Sequence, residues 1–219
     1  MRTVLCLGVA AGTLWCAAAV SRAAVVGTMD DFQDVTTMGW SGYDPNITVK
    51  PGGGPLGVTD AYMRVNATGL GGPGSRLAVD NGDARWTGNY LWSGITALEG
   101  DFINVSSGPL EIRAVLFSGS FDRSTSTLSA VLPSDAAWHH LVFQLDSASL
   151  TNVMGTMSYN DFMSDITAVM FRHNSGAPSS GGTSVVGTMG LDNLHSIPAP
   201  TSALVLASGV FASRRRRGH

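Results

Sequence analysis

Between residues 24 and 196 the apolar side chains recur with a period close to two, and turn-forming Gly, Pro, Asn, Asp and Ser interrupt them about every eight to twelve positions. No window keeps a 3.6-residue apolar stripe for three turns. Strict alternation gives each strand one apolar face, and that face must be buried against a second layer. The pattern therefore predicts an all-β domain, a two-sheet antiparallel β-sandwich, with strands over 26–32, 61–67, 76–79, 95–105, 110–117, 127–132, 138–146, 166–173 and 185–194. Leu110, Ile112, Ala114 and Leu116 form one inward row, and Leu141, Phe143 and Leu145 another. Asn81-Gly82 has the chemistry of a type I′ turn and is expected to join 76–80 to 83–86 as a hairpin. Residues 174–184, rich in Gly, Ser and Pro, predict a long, mobile loop before the last strand.

The chain has 219 residues, of which 13% are charged and 27 are Gly, a composition suited to short strands and many turns. With one Lys (Lys50) and two Glu (Glu99 and Glu111), helices laced with ion pairs are not expected. The formal charge of -3 conceals an asymmetry. Six of the thirteen basic residues lie at the ends (Arg2, Arg22 and Arg214 to Arg217), leaving seven against sixteen acidic groups, a net of -9 for 24–196. Such a surface repels phosphate backbones and argues against nucleic acid as a partner. Both cysteines, Cys6 and Cys16, fall before residue 24, so the domain is expected to hold together without a disulfide.

The two ends read as addresses. Arg2, an apolar run over residues 4–20 and the small residues Ser21 and Ala23 flanking Arg22 make a secretory signal peptide over 1–23, helical before its removal by signal peptidase. At the other end stand Pro198, Ala199 and Pro200, then thirteen weakly apolar residues (201–213), then Arg214, Arg215, Arg216 and Arg217. As a helix those thirteen residues reach about 20 Å, short of a roughly 30 Å hydrocarbon core. The arginine run would stay on the cytoplasmic side, leaving the domain outside. Pro-x-Pro, a short apolar segment and a terminal arginine cluster together resemble the PEP-CTERM sorting signal, here over 197–219, with Ala199 in place of the usual Glu. The resemblance implies passage through the export translocon, a transient inner-membrane contact, processing by an exosortase, and a final place at the cell surface or in the extracellular matrix.

Asp30-Asp31-Phe32 near the start, Trp138-His139-His140 in the centre and Gly190-Leu191-Asp192-Asn193-Leu194 near the end resemble the jelly-roll domains of carbohydrate-binding modules and laminin-G-like proteins. The resemblance implies that first and last strands pair, bringing the two acidic segments together. Asp30, Asp31 and Asp192 would then be candidate ligands of a structural Ca²⁺, an ion that takes six to eight oxygens. The run from Arg85 to Trp92 packs three aromatics into a short stretch. Trp86, Tyr90 and Trp92 offer ring faces to sugar C–H groups, and Arg85 and Asn89 offer hydrogen bonds to hydroxyls. Trp40 and Tyr43 are candidates to join them. The competing structural reading places these tryptophans in the core.

Catalytic motifs are missing: there is no nucleophile elbow and no zinc helix. His139 and His140, adjacent on a strand, face opposite sides and cannot share a metal. Glu99 and Glu111 would serve as a retaining glycosidase pair only if about 5 Å apart. The expectation from sequence is a non-enzymatic, exported β-sandwich that binds polysaccharide. The alternative is a structural or adhesive surface protein without a small ligand, and a glycoside hydrolase ranks behind both.

Overall fold

The computed structural model describes residues 24, 26–27, 29–42, 46–72, 75–119 and 121–199. The expected signal peptide over 1–23, the tail beyond Ala199 and Tyr43 lie outside the described residues.

The strands run β1 (Met29–Asp30), β2 (Ile47–Lys50), β3 (Tyr62–Thr68), β4 (Ala78–Asn81), β5 (Ile95–Asn104), β6 (Leu110–Ser118), β7 (Asp122–Ser126), β8 (Ala130–Leu132), β9 (Trp138–Gln144), β10 (Leu150–Met154), β11 (Ile166–His173) and β12 (Val186–Pro198). One-turn helices α1 (Tyr90–Ser93) and α2 (Tyr159–Met163) interrupt them. Two six-stranded antiparallel sheets result. The first has the order β2-β3-β12-β5-β9 with β1 also on β12, and the second the order β10-β7-β6-β11-β4 with β8 also on β6. This is the expected all-β jelly-roll sandwich.

Alternation places the core. Leu110, Ile112, Ala114 and Leu116 of β6 all point inward, as do Met63 and Val65 of β3 and Met189 and Leu191 of β12. Phe171 joins the two sheets, with its ring centroid 5.4 Å from Phe102, 5.4 Å from Phe143 and 5.6 Å from Trp40. Aromatic pairs at such separations add to the area they bury.

β12 is the long central strand of the first sheet. It pairs with β5 on one side, and on the other with β3 and then with β1, where Asp30 stands opposite Leu194. The first and last strands therefore do pair. The handover falls at a bulge between Asp192 and His195, where Asn193 adopts φ 51°. β12 runs on to Pro198, which pairs with Ile95, so the first residue of the Pro-x-Pro motif belongs to the sandwich and the fold passes the expected boundary at 196.

Two other expectations are corrected. Asn81-Gly82 is no hairpin turn: Asn81 closes β4 opposite Val169, is fully buried, and its Oδ1 accepts from the Asp83 N–H at 2.8 Å, so 83–86 turn away instead of returning. The side chain that suits a two-residue turn here makes an Asx turn. Residues 174–184 are tied down rather than loose. Arg113 donates to the carbonyls of Asn174 and Gly176, Arg172 to those of Ser179 and Ser180, and Arg123 to that of Ser180.

Candidate functional site

The segment Arg85 to Trp92 is mostly interior. Trp86 is 1% exposed and Tyr90 is fully buried, so neither ring offers a face to a sugar, which corrects the expectation for both. Their polar ends have internal partners: Tyr90 donates its hydroxyl to the Trp86 carbonyl at 2.7 Å, and Trp86 donates Nε1–H to Asp30 Oδ2 at 2.8 Å. Burial raises the Tyr90 phenol far above its ordinary range. Trp40 is buried too, and its Nε1–H reaches the same Asp30 oxygen at 2.7 Å. Arg85 closes the cluster, its Nη1 2.9 Å from Asp30 Oδ1 and its Nη2 donating to the Met38 carbonyl. Asn89 caps α1, its side chain accepting the Trp92 N–H at 2.8 Å, and Gly94 ends that helix in the left-handed region at φ 68°. Of the five residues only Trp92, 72% exposed, presents a ring to solvent.

The same contacts decide the calcium question for Asp30. A carboxylate between two indole N–H groups and a guanidinium already has its counter-charge, and an arginine at 2.9 Å repels a cation. Burial raises the Asp30 pKa, while hydrogen bonds from Trp86 and Trp40 and the charge of Arg85 work against that rise. Asp192 is also fully buried. Its Oδ1 accepts from the Asn193 N–H at 2.8 Å, and its Oδ2 has no partner. Burial pushes its pKa up to about 8, helped by the charges of Asp60, Asp101 and Asp31, so it is protonated at neutral pH. Asp30, Asp31 and Asp192 do not fit a Ca²⁺ ion as a set. Among the described residues no group of three or more His, Cys, Asp or Glu side chains is placed to hold a metal.

The outer face of the first sheet gathers different chemistry. Tyr62 of β3 and Trp138 of β9 are separated by two strands in the sheet, yet their half-buried rings meet edge-on at 5.2 Å. Gly190 of β12 makes the approach possible, because a Cβ there would fall 2.9 Å from Tyr62 Cε2 and 2.5 Å from Ile103 Cγ2. Trp138 is fixed by an Nε1–H bond of 3.1 Å to the Gly53 carbonyl. Two residues along β9, on the same face, His140 sits between carboxylates, its Nδ1 3.0 Å from Asp101 Oδ1 and its Nε2 3.5 Å from Glu99 Oε2. Burial lowers the His140 pKa, but the hydrogen bond and charge of Asp101, followed by those of Glu99, outweigh it and leave the imidazole above its ordinary range. Asn193 donates to Asp101 Oδ2 at 2.8 Å, and His195 Nε2 lies 2.5 Å from Glu99 Oε1. An aromatic shelf beside fixed donors and acceptors is the arrangement that sugar rings and hydroxyls require. Reading the sequence missed it, because its members come from four strands. The only local hint was the alternation of Trp138, His140 and Val142.

Glu99 and Glu111 lie in different sheets. Glu99 serves His140 and His195 on β12's sheet, while Glu111 accepts from Ser129 and from the Gly176 N–H on the other. They do not form a glycosidase pair.

No family model matches the sequence, and no curated protein matches it. Solved structures do. The fold is similar to that of an exo-β-agarase, with TM-score 0.56 and 13% identity over 78% of this chain and 25% of that one, so the chain spans about a quarter of that protein's length. It is also similar to a family 11 carbohydrate-binding module from Clostridium thermocellum in complex with a β-1,3-1,4-mixed-linked tetrasaccharide, with TM-score 0.47 and 19% identity over 81% of this chain and 98% of that one. The agarase AgWH50C aligns at TM-score 0.49 and 9% identity over 78% of this chain and 24% of that one. At these identities the likeness is one of fold.

Proposed function

We propose that this protein is a non-catalytic polysaccharide-binding sandwich, exported to the cell surface or extracellular matrix, and that it engages a glycan chain on the outer face of the first sheet. The observation that carries the reading is the Tyr62–Trp138 shelf, held over Gly190 and bordered by Asp101, His140 and Glu99. Stacking of a pyranose on the shelf supplies apolar contact, and the bordering row supplies hydrogen bonds to equatorial hydroxyls. The separation of Glu99 and Glu111 supports the non-catalytic reading. Export rests on the leader and the PEP-CTERM-like tail, whose Pro198 lies in β12 and whose remaining part is the proposed exosortase substrate. Calcium is left out of the binding mechanism, since Asp30 is neutralised by its own neighbours.

The test is a titration of the purified protein with a neutral mixed-linkage β-glucan oligosaccharide. Trp138→Ala is expected to weaken binding about tenfold, equivalent to about 1.4 kcal/mol for a lost aromatic contact, with little change in melting temperature. Gly190→Ala should weaken it as well by displacing the Tyr62 ring. Wild-type protein that binds no oligosaccharide would turn the reading towards the structural or adhesive alternative.

A further inference from the structure

Four of the seven basic residues of the domain converge on the outer face of the second sheet. Arg113 of β6 stands directly opposite Arg172 of β11, and Arg123 of β7 stands opposite Phe117 of β6 with its guanidinium 4.9 Å from that ring's centroid. Arg76 enters from the segment before β4. Like charges opposed across strands are destabilising unless something answers them. Here the answer is weak: among the described residues none of the four makes an ion pair, and Glu111 acts on Arg113 only through its charge at longer range. Acidic side chains of the same sheet are committed elsewhere, Asp80 to Ser41, Glu111 to Ser129 and the Gly176 N–H, and Asp122 to the N–H groups of Thr156 and Met157.

Most of the answer comes from carbonyls of the 174–184 loop, which tie down Arg113, Arg123 and Arg172 without neutralising them. Beside the loop a cleft of about 460 Å³ remains open, lined by Arg76, Arg123, Arg172, Phe117 and Met170 among others. Two facts leave positive charge standing in this cleft. Arg172, 3% exposed, has the carbonyls of Ser179 and Ser180 for partners and no carboxylate within ion-pair distance among the described residues. Arg76 makes no hydrogen bond or ion pair among the described residues and is exposed at the rim. An oxyanion in the cleft would take short, charge-assisted bonds from the exposed Arg76 guanidinium and from the half-buried Arg123 beside it.

We propose that this cleft binds the anionic group of an acidic sugar residue, a carboxylate or sulfate, in an extracellular polysaccharide. The sugar part of this assignment rests on the proposed function, and the charge part on the arginines alone. Burial, and next the charges of Arg123, Arg76 and Arg113, bring the Arg172 pKa down to about 10, which leaves it cationic at neutral pH and shows how concentrated the positive charge is. The net charge of -9 restricts the ligand further. It repels densely charged polyanions, whereas within a screening length of about 8 Å the local arginines dominate. An isolated oxyanion on an otherwise neutral ring, resting on Phe117 and Met170, meets both conditions. The geometry of guanidinium forks suits carboxylate and sulfate alike.

Calorimetric titration of the purified protein with three tetrasaccharides tests this: one bearing uronic acids, one sulfated and one neutral, with single-stranded DNA as a competitor. The expected result is binding of at least one acidic oligosaccharide that strengthens at low salt and falls about tenfold in Arg76→Gln and in Arg123→Gln. Arg76→Gln removes no hydrogen bond or ion pair to a described residue, so its melting temperature should stay close to that of the wild type. Trp138→Ala should leave acidic binding intact and weaken neutral binding about tenfold, so the two faces fail separately. Whether the uronate or the sulfate is retained identifies the oxyanion. Acidic ligands that bind no better than the neutral one, Gln variants that bind them like wild type, or displacement by DNA at equal charge would overturn the proposal.

Discussion

Asp30 and Asp192 are two fully buried carboxylates on adjacent, paired strands, and their neighbours treat them in opposite ways. Asp30 is met by two indole N–H groups and a guanidinium, so its charge is used to orient Trp40, Trp86 and Arg85. Asp192 is met by one backbone N–H and by the fields of three other aspartates, and it keeps its proton. Burial alone does not say what a carboxylate does. The number of donors that come with it does.

The comparison breaks most visibly at Asp30. Asp30→Ala leaves two buried indole N–H groups and a half-buried arginine without their acceptor, and a loss of about 3–5 kcal/mol in unfolding free energy is expected by denaturant titration. Asp192→Asn acts in the other direction. The folded state holds the Asp192 proton up to about pH 8, whereas the unfolded chain releases it near 3.8. Its contribution to stability is therefore complete below pH 4 and is lost progressively as pH rises to 8. In the wild type, melting temperature should fall across that window. The variant should lack most of that fall and be more stable at pH 9, by on the order of 2–3 kcal/mol. Asp30 and His140, both raised, add slopes of the same sign, so some decline will persist in the variant. The smallest effect is expected from Trp40→Phe, which keeps most of the buried ring and removes one N–H donor. It should cost about 1–2 kcal/mol and steepen the decline with pH, making Asp30 behave more like Asp192.

Periodicity made much of this fold legible. β3, β5, β6, β9 and β11 lie where alternation put them, because one apolar face per strand is a property of the local sequence. β2, β7 and β10 were not legible. Asp122–Ser126 is a polar run with no apolar row, and it becomes a strand because β6 on one side and β10 on the other satisfy its backbone. The site was less legible still. Residues 85–92 drew notice because their aromatics are neighbours in sequence, yet the turn from β4 into α1 carries Trp86 and Tyr90 inward. Tyr62 and Trp138 are isolated in the sequence, and so are Arg76, Arg113, Arg123 and Arg172. Only strand order and the missing side chain of Gly190 bring the first pair together, and only register brings the arginines to one face.

β12 also decides how the molecule would bear tension. A pull on the residues that follow Pro198 enters along the axis of this strand, which is hydrogen-bonded to β5 on one flank and to β3 and β1 on the other. Antiparallel hydrogen bonds lie across the strand, so such a load shears them together instead of opening them one at a time. A domain tethered through that end and gripping a polymer elsewhere would carry the strain on its strongest line.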